Sequence, residues 1–426
     1  MNICIYGEVA LDWLISSNGI ISSRKGGAGL YAAMSIARLG HQAELLTVLS
    51  PEIDEYHISV WVDMGISFQY AKNDKNYCIP KYLVTGFENY SKKVSRPMTE
   101  IKYIYDYLPD LPIGTEGVLL FPINHSIPKS ICFEASKNNK FVFLDPKPNE
   151  GSISDAKDLL EYVDVLLVNE EELLLLSSKY NLNEAIETLL AEGPDYIIVK
   201  RGIKGCIIAQ KNKELCVIPS YKSNAVCTLG SGDVFDGAVA ATFIETKDME
   251  YSVKLASCMA ACFIENIEIE RMPTKKAVEF YMNNRGMNGY SSSRNLIIYL
   301  AGPFFSQQEV LWVNYIHQSL ESCGLKILSP SKENGIINTS FTPDIRKATF
   351  ISDLELLQKA DIVVALLDHD DAGTSFEIGY AYSHGKPVIG LKTSADKLNN
   401  MIQYGCNPIC DTVDKLVSEV YKYARE

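Results

Sequence analysis

The stretch LDHDDAGTSFEIGYAYSHGKPVIG, residues 367–390, crowds Asp368, Asp370, Asp371 and Glu377 between two regular elements. The apolar, β-branched run ADIVVALL before it reads as a buried strand, and the residues after Thr374 read as a helix. Carboxylates repel one another, and sheet packing has no need of them at this place. A solvated acidic loop beside a helix N-terminus is the plain structural account, because the helix dipole favours negative charge there. The chemical account is glycosidic: such chemistry needs a carboxylate near the anomeric carbon and an acid near the leaving group. Gly373 and Thr374 bend the chain between Asp371 and Glu377, so that both carboxyl groups can face one pocket. Near the helix start, Glu377 is expected to stay ionised, which suits a nucleophile.

A second segment with chemical content is CTLGSGDVFDGAVAATFIE, from Cys227. Gly230, Ser231 and Gly232 open a helix whose first turn holds Asp233. Backbone N–H groups in such a turn converge on an anion, and the dipole favours it there. Asp233 is placed to take a proton from an attacking hydroxyl while those groups hold a phosphoryl. An aspartate capping a helix after a tight turn is the structural alternative.

The elements that must position these residues alternate between apolar strands and helical segments. GVLLFPI, FVFLDP, VDVLLVN and YIIVKRG precede a helix from about Ser231, which predicts an α/β, doubly wound, mostly parallel sheet. Ligands of such sheets lie at the carboxyl ends of the strands. Residues 67–107, rich in Tyr and Lys with short β-like runs, are expected to form a small β lid. MNICIYGEVALDWLI reads as a first strand and not as a signal peptide, since it has no basic start and carries Glu8 and Asp12. NNRGMNGYSSSRN, residues 283–295, is polar and aperiodic, and LIIYLAG then begins a fresh α/β unit. The expected domains are 1–285 and 295–426, joined by a linker at 286–294.

The 426 residues carry a net charge of −13, which argues against a nucleic-acid polymer as partner. No apolar run approaches the ~20 residues that span a bilayer, so no membrane partner and a cytoplasmic location are expected. The eleven cysteines include no C-x-x-C pair. Cys258/Cys262 and Cys406/Cys410 read as buried reduced thiols and not as metal ligands, and no residue is assigned as a direct metal ligand.

The Gly230–Asp233 segment resembles the D-T-x-G-A-G-D signature of the ribokinase-like, PfkB-type carbohydrate kinases. GGAGLYAAMSIARLG from Gly26 is similar to that family's glycine pair and helix, LDPKPN at 144–149 to its D-P turn, VNEEE to its N-x-x-E, and VKRGIKG to its nucleotide-side strand and turn. The resemblance spans roughly 1–285. It implies Asp233 as catalytic base and Gly230–Gly232 as anion hole. Asn169 and Glu172 would organise magnesium and phosphate, with Gly202 and Gly205 beside ATP and Asp12, Gly26 and Gly27 on the substrate side. ATP and Mg2+ are the implied cofactors, with a monovalent cation as a further candidate. The chain departs from the pattern at Cys227 and Ser231, and Ala28 and Tyr31 replace asparagines of the glycine-pair helix. These departures keep a non-catalytic kinase domain in view.

YLAGPFF, SDLELLQKADIVVALLD, DAGTSFEIGYA and GKPVIG closely resemble the nucleoside 2-deoxyribosyltransferases over about 295–410. A flavodoxin/Rossmann-like parallel α/β domain is implied. By position, Glu377 would be the nucleophile, Asp371 and Asp353 would hold and protonate the leaving base, and Tyr299 would orient the nucleophile near the turn at Gly302. Gly373 would shape the loop, and Asn400 matches an asparagine lent to a neighbouring subunit, which implies a homo-oligomer. The structural alternatives are a core role for Tyr299, a helix cap for Asp353 and a surface turn for Asn400. The combined expectation is a bifunctional enzyme of nucleoside metabolism acting on small sugars, nucleosides or nucleotides. The alternatives are a deoxynucleoside N-glycosidase with a vestigial kinase domain, and a nucleotide-sensing regulatory or defence protein.

Overall fold

The computed structural model describes residues 1–15, 21–85, 93–95, 111–122, 129–147, 153–288, 296–321, 323, 325–335, 341–395 and 397–423. Residues 86–92 and 96–107 of the expected lid, 148–149 of LDPKPN and 289–294 of the expected linker lie outside that set. The chain divides into two compact units, Met1–Gly286 and Met287–Glu426.

The first unit is built on a nine-stranded sheet. Its spatial order is Cys216–Ile218, Cys206–Gln210, Tyr196–Lys200, Val165–Asn169, Phe141–Leu144, Thr115–Leu120, Asn2–Tyr6, Gln42–Leu46 and Ile66–Ser67. Cys206–Gln210 runs antiparallel to both of its neighbours, and every other pairing is parallel. Central strands such as Val165–Val168 are buried throughout, as a sheet covered on both faces requires. Helices Ala28–Arg38, Ser231–Thr246 and Met249–Phe263 pack on one another, and Ser231–Thr246 also packs on the central strand Thr115–Leu120.

MNICIYGEVALDWLI forms two strands, where one was expected. Asn2–Tyr6 joins the large sheet, whereas Ala10–Ile15 joins a four-stranded sheet with Ile21–Gly26, Lys81–Thr85 and Lys93–Ser95. The break falls at Gly7, where a Cβ would stand 2.6 Å from the Cα of Gly29. Only glycine lets strand and helix approach so closely. Asp12 therefore sits inside a strand of the small sheet. The aperiodic segment also begins later than its composition suggests: helix Lys275–Asn284 runs into it, and Lys222 N–H bonds the Gly286 carbonyl at 2.8 Å.

The second unit holds a five-stranded, wholly parallel sheet in the order Lys326–Leu328, Ile297–Ala301, Ile362–Leu366, Val388–Leu391, Ile409–Cys410. Numbered along the chain this is 2-1-3-4-5, the flavodoxin-like winding, which directs ligands to the carboxyl ends of the strands. No described helix is long and apolar enough to cross a membrane, and no disulfide is present among the described cysteines.

Candidate active sites

In the first unit, helix Ser231–Thr246 starts from Gly230 in the left-handed region, φ 79°, with no side chain capping it. Asp233, in its first turn, belongs to a polar cluster assembled from strand ends. Lys147, itself at a positive φ of 38°, sends its ammonium to Asp233 Oδ1 at 2.5 Å. Lys200, the last residue of Tyr196–Lys200, bonds Asp236 Oδ2 at 2.7 Å and Asp145 Oδ2 at 3.0 Å. Burial alone would raise Asp145, but Lys200 and Lys147 outweigh it and hold its carboxyl below the usual range. Burial pushes Asp236 well up.

The Asn169 and Glu172 side chains form a reciprocal capping box at the start of helix Glu170–Ser177. Burial, with the charge of Asp145, lifts Glu172 to about 6, so it also faces the cluster. Carboxylate oxygens of Asp145, Asp233 and Asp236 lie within 4.8 Å of one another, and Asp236 Oδ1 has no hydrogen-bond partner. These hard oxygen donors fit a divalent cation such as Mg2+. Asp145, Asp233 and Asp236 would hold it, and it would neutralise negative charge on a bound ligand.

Several sequence candidates have local structural reasons. Gly205 is at φ 87°, and a Cβ there would collide with the Ile218 carbonyl; Gly202, at φ 56°, completes the same turn. That turn is tied to the earlier helix Glu170–Ser177 by Arg201 and Lys204, both bonded to the Glu170 carboxylate. Gly27, at φ 96°, passes close to the backbone of Glu8 and Ala10. Asp12 is 2% exposed and accepts the Tyr31 hydroxyl, with Arg24 beside it at 4.0 Å. An Asp12 open to substrate was expected; burial raises its carboxyl, and Tyr31 and Arg24 already satisfy it.

Glu8 was missed by sequence reasoning. Tyr82, on Lys81–Thr85, donates to Glu8 Oε1 at 2.6 Å, and burial lifts Glu8 to about 7 although this bond opposes it. Asp233 is near enough to act electrostatically on both Glu8 and Asp12.

In the second unit, Tyr299 stands at the middle of strand Ile297–Ala301 and is fully buried. Its hydroxyl donates to Glu377 Oε1 at 2.5 Å. Glu377 lies in the second turn of helix Ala372–Ser383, whose N-cap is Asp371. The expectation of an ionised Glu377 at a helix start is corrected here. Burial lifts its carboxyl to about 8; the Tyr299 hydroxyl opposes this, and the charges of Asp353 and Asp371 add to it.

Asp353 is in the interior of helix Pro343–Lys359, not at a cap, and accepts from Asn334 Nδ2 at 2.7 Å. Ser352 in turn donates to Asn334 Oδ1 at 3.0 Å. Tyr299, Glu377, Asp353 and Asp371 are thus brought together electrostatically. Asp371 accepts both the backbone N–H and the hydroxyl of Thr374, at 2.6 and 2.7 Å. Asp368, by contrast, ties the loop at Thr393 and Ser394, at 2.6 and 2.8 Å from their N–H groups.

Asn400, the first residue of helix Asn400–Gly405, shares a cavity of about 790 Å³ with Asp370, Asp371, Thr374 and Tyr382. Neither Glu377 nor Tyr299 lines that cavity. A Cβ at Gly302 would press on Leu366 and Val313 at 3.0 and 3.2 Å, which makes this glycine a packing requirement, while one at Gly373 would meet Asp371 Oδ2 at 3.1 Å. Asn334 was missed because an asparagine after a short helix carries no distinguishing spacing.

Residues 129–275 match the family model for pfkB family carbohydrate kinase, and residues 298–417 that for nucleoside 2-deoxyribosyltransferase. The chain is 23% identical over 167 residues to 5-dehydro-2-deoxygluconokinase of Bacillus subtilis, covering 37% of this chain and 51%, about half, of that protein. It is 22% identical over 318 residues to the ribokinase of the same organism, covering 65% of this chain and 98% of the relative. A Thermofilum pendens protein named "Putative 2'-deoxynucleoside 5'-phosphate N-hydrolase 1" is 33% identical over 97 residues, 22% of this chain and 66% of that one. Among solved structures, ribokinase from Cryptococcus neoformans var. grubii in complex with ADP superposes with TM-score 0.55 at 20% identity, covering 66% of this chain and 99% of that chain. The first unit therefore has the ribokinase-like fold.

Proposed function

Since the chain joins a pfkB family carbohydrate kinase domain to a nucleoside 2-deoxyribosyltransferase domain, we propose that it is a bifunctional enzyme of nucleoside metabolism. In the second unit, Glu377 attacks the anomeric carbon of a 2'-deoxynucleoside or its nucleotide, and Asp353 and Asp371 hold and protonate the departing base. A deoxyribosyl ester on Glu377 is then resolved by another base or by water. The observation that carries this reading is the Tyr299–Glu377 hydrogen bond beside Asp353 and Asp371. A carboxylate that ionises reluctantly in the free site gains most when positive charge develops on the sugar. Its attraction is therefore felt in the oxocarbenium-like transition state more than in the ground state.

In the first unit, Asp233 takes the proton of a sugar or nucleoside hydroxyl, and the N–H groups of Gly230–Gly232 steady the phosphoryl arriving from ATP. A second reading, a nucleotide-binding domain without turnover, is favoured by one observation: the Lys147 ammonium already occupies Asp233. The homo-oligomer suggested by Asn400 belongs to the same proposal.

The test is turnover with ATP, magnesium and a panel of 2'-deoxynucleosides and deoxynucleotides, with bases, sugars and phosphorylated products separated. Release or exchange of bases together with a phosphorylated acceptor supports the bifunctional reading. Base release alone supports the second. Binding of nucleotides with no turnover of any kind would leave a sensing protein.

A further inference from the structure

We propose that Tyr31 is the residue that sets acceptor specificity at Asp233, by closing the space between Gly26, Asp12 and Gly230 to a free aldopentose. The inference rests on the kinase reading of the first unit and names what that site excludes.

A hydroxyl that loses its proton to Asp233 must lie within hydrogen-bond reach of that carboxylate and beside the Gly230–Gly232 turn. One wall of that space belongs to the helix Ala28–Arg38, and Tyr31 is its only aromatic residue. Its ring is 2% exposed, and a Cβ on Gly230 would stand 2.6 Å from its Cδ2 and Cε2 atoms. Its far end fills the space above Gly26, where a Cβ would collide with the Tyr31 hydroxyl and with Asp12. The missing side chains of both glycines are thus taken up by one ring, and no gap remains between the phosphate turn and the glycine pair.

The ring is locked from behind. Phe263 meets it edge-on at 5.8 Å between centroids. The Arg24 guanidinium stands 5.2 Å from the ring centroid and bonds the carbonyls of Leu229 and Ile267 at 2.8 and 2.7 Å. Arg24 thereby fastens the start of the phosphate turn to the same cluster that seals Asp12.

The polar supply is also short. A free pentose carries a hydroxyl on nearly every carbon, and each one buried without a partner is costly. Asp12 is engaged by Tyr31, Glu8 by Tyr82, and Asp233 by Lys147. An acceptor that suits this wall presents one hydroxymethyl group on a hydroxyl-poor body, the class that includes 2'-deoxynucleosides.

The experiment measures D-ribose binding to the full chain by titration calorimetry in the presence of magnesium and ADP. Wild type is compared with Tyr31→Asn, Tyr31→Leu and Tyr31→Phe, each checked for an intact thermal transition. Tyr31→Asn empties the ring volume, and Tyr31→Leu vacates its far end while keeping an apolar contact for Phe263. Tyr31→Phe frees Asp12 but leaves the ring.

The expected result is ribose affinity at least ~10-fold above wild type in Tyr31→Asn or Tyr31→Leu, on the scale of pocket discrimination by lost volume. Tyr31→Phe stays at the wild-type level. The proposal is overturned if the folded Asn and Leu variants bind ribose no better than wild type, or if Tyr31→Phe gains as much as they do. Phosphoryl transfer from ATP is read separately. Its absence from every variant would refute the kinase reading while leaving the ribose comparison decisive for Tyr31.

Discussion

The hydroxyl of Tyr299, on the first strand of the second unit, donates to Glu377 Oε1 on helix Ala372–Ser383 across 2.5 Å and 78 residues of chain. Tyr299 is fully buried, so the bond fixes the carboxyl against the strand. It also opposes the burial that lifts Glu377 to about 8.

Tyr299→Phe is therefore expected to move the pH profile of base release. In wild type, kcat/KM is expected to rise with pH until Glu377, lifted by burial to about 8, ionises. Removing the hydroxyl that stabilises the anion shifts this limb to higher pH, with a loss at pH 7 of ~10-fold or more. A limb that moves to lower pH would contradict the assignment.

The same group makes a stability prediction. A raised folded-state pKa means that the native state holds the proton more tightly than the unfolded chain. The stabilising contribution is complete below 4.5 and is lost as pH rises through about 8. Glu377→Gln keeps a neutral side chain at every pH. Its melting temperature relative to wild type should rise by ~5 °C or more between pH 5 and pH 8. A constant difference across that range would show that Glu377 is not raised.

Asp233→Asn is expected to reduce ATP-dependent phosphoryl transfer by ~10²–10⁴ while base release persists. The motive is the placement of Asp233 at the open start of helix Ser231–Thr246, held by Lys147. Quantifying radiolabelled product from γ-labelled ATP checks it, and transfer at the wild-type rate would remove Asp233 from the role of base.

Much of this arrangement was legible in the sequence because it is local. Gly230–Ser231–Gly232 before a helix and Asp371–Ala–Gly–Thr at an N-cap are short-range patterns whose geometry follows from backbone preference and capping. The doubly wound frame was legible too, since runs such as VLLV and IVVAL are buried on both faces. What stayed hidden depends on distant chain segments meeting. Lys147 reaches Asp233 over 86 residues, and Tyr82 reaches Glu8 over 74. Asp12 looked available because nothing in its own strand reveals Tyr31. Glu377 looked ionised because burial by distant segments has no local signature.

Asn334 and Asp353 form one unit through a 2.7 Å bond; burial raises the Asp353 carboxyl and this bond only partly opposes it. Asp353→Asn and Asn334→Ala should each slow base release, and the double variant should lose little beyond Asp353→Asn alone. Fully additive losses in kcat/KM would show that Asn334 does not act through Asp353.

The central claim is covalent attack by Glu377, and a 2'-deoxy-2'-fluoro nucleoside tests it most directly. The fluorine destabilises the oxocarbenium-like transition state and slows resolution of the ester, so the intermediate accumulates. Mass spectrometry of the digested protein should then find one fluorinated pentosyl adduct, on the peptide containing Glu377, absent from Glu377→Ala, which also releases no base. An adduct on another residue, or base release by Glu377→Ala at the wild-type rate, would contradict the account.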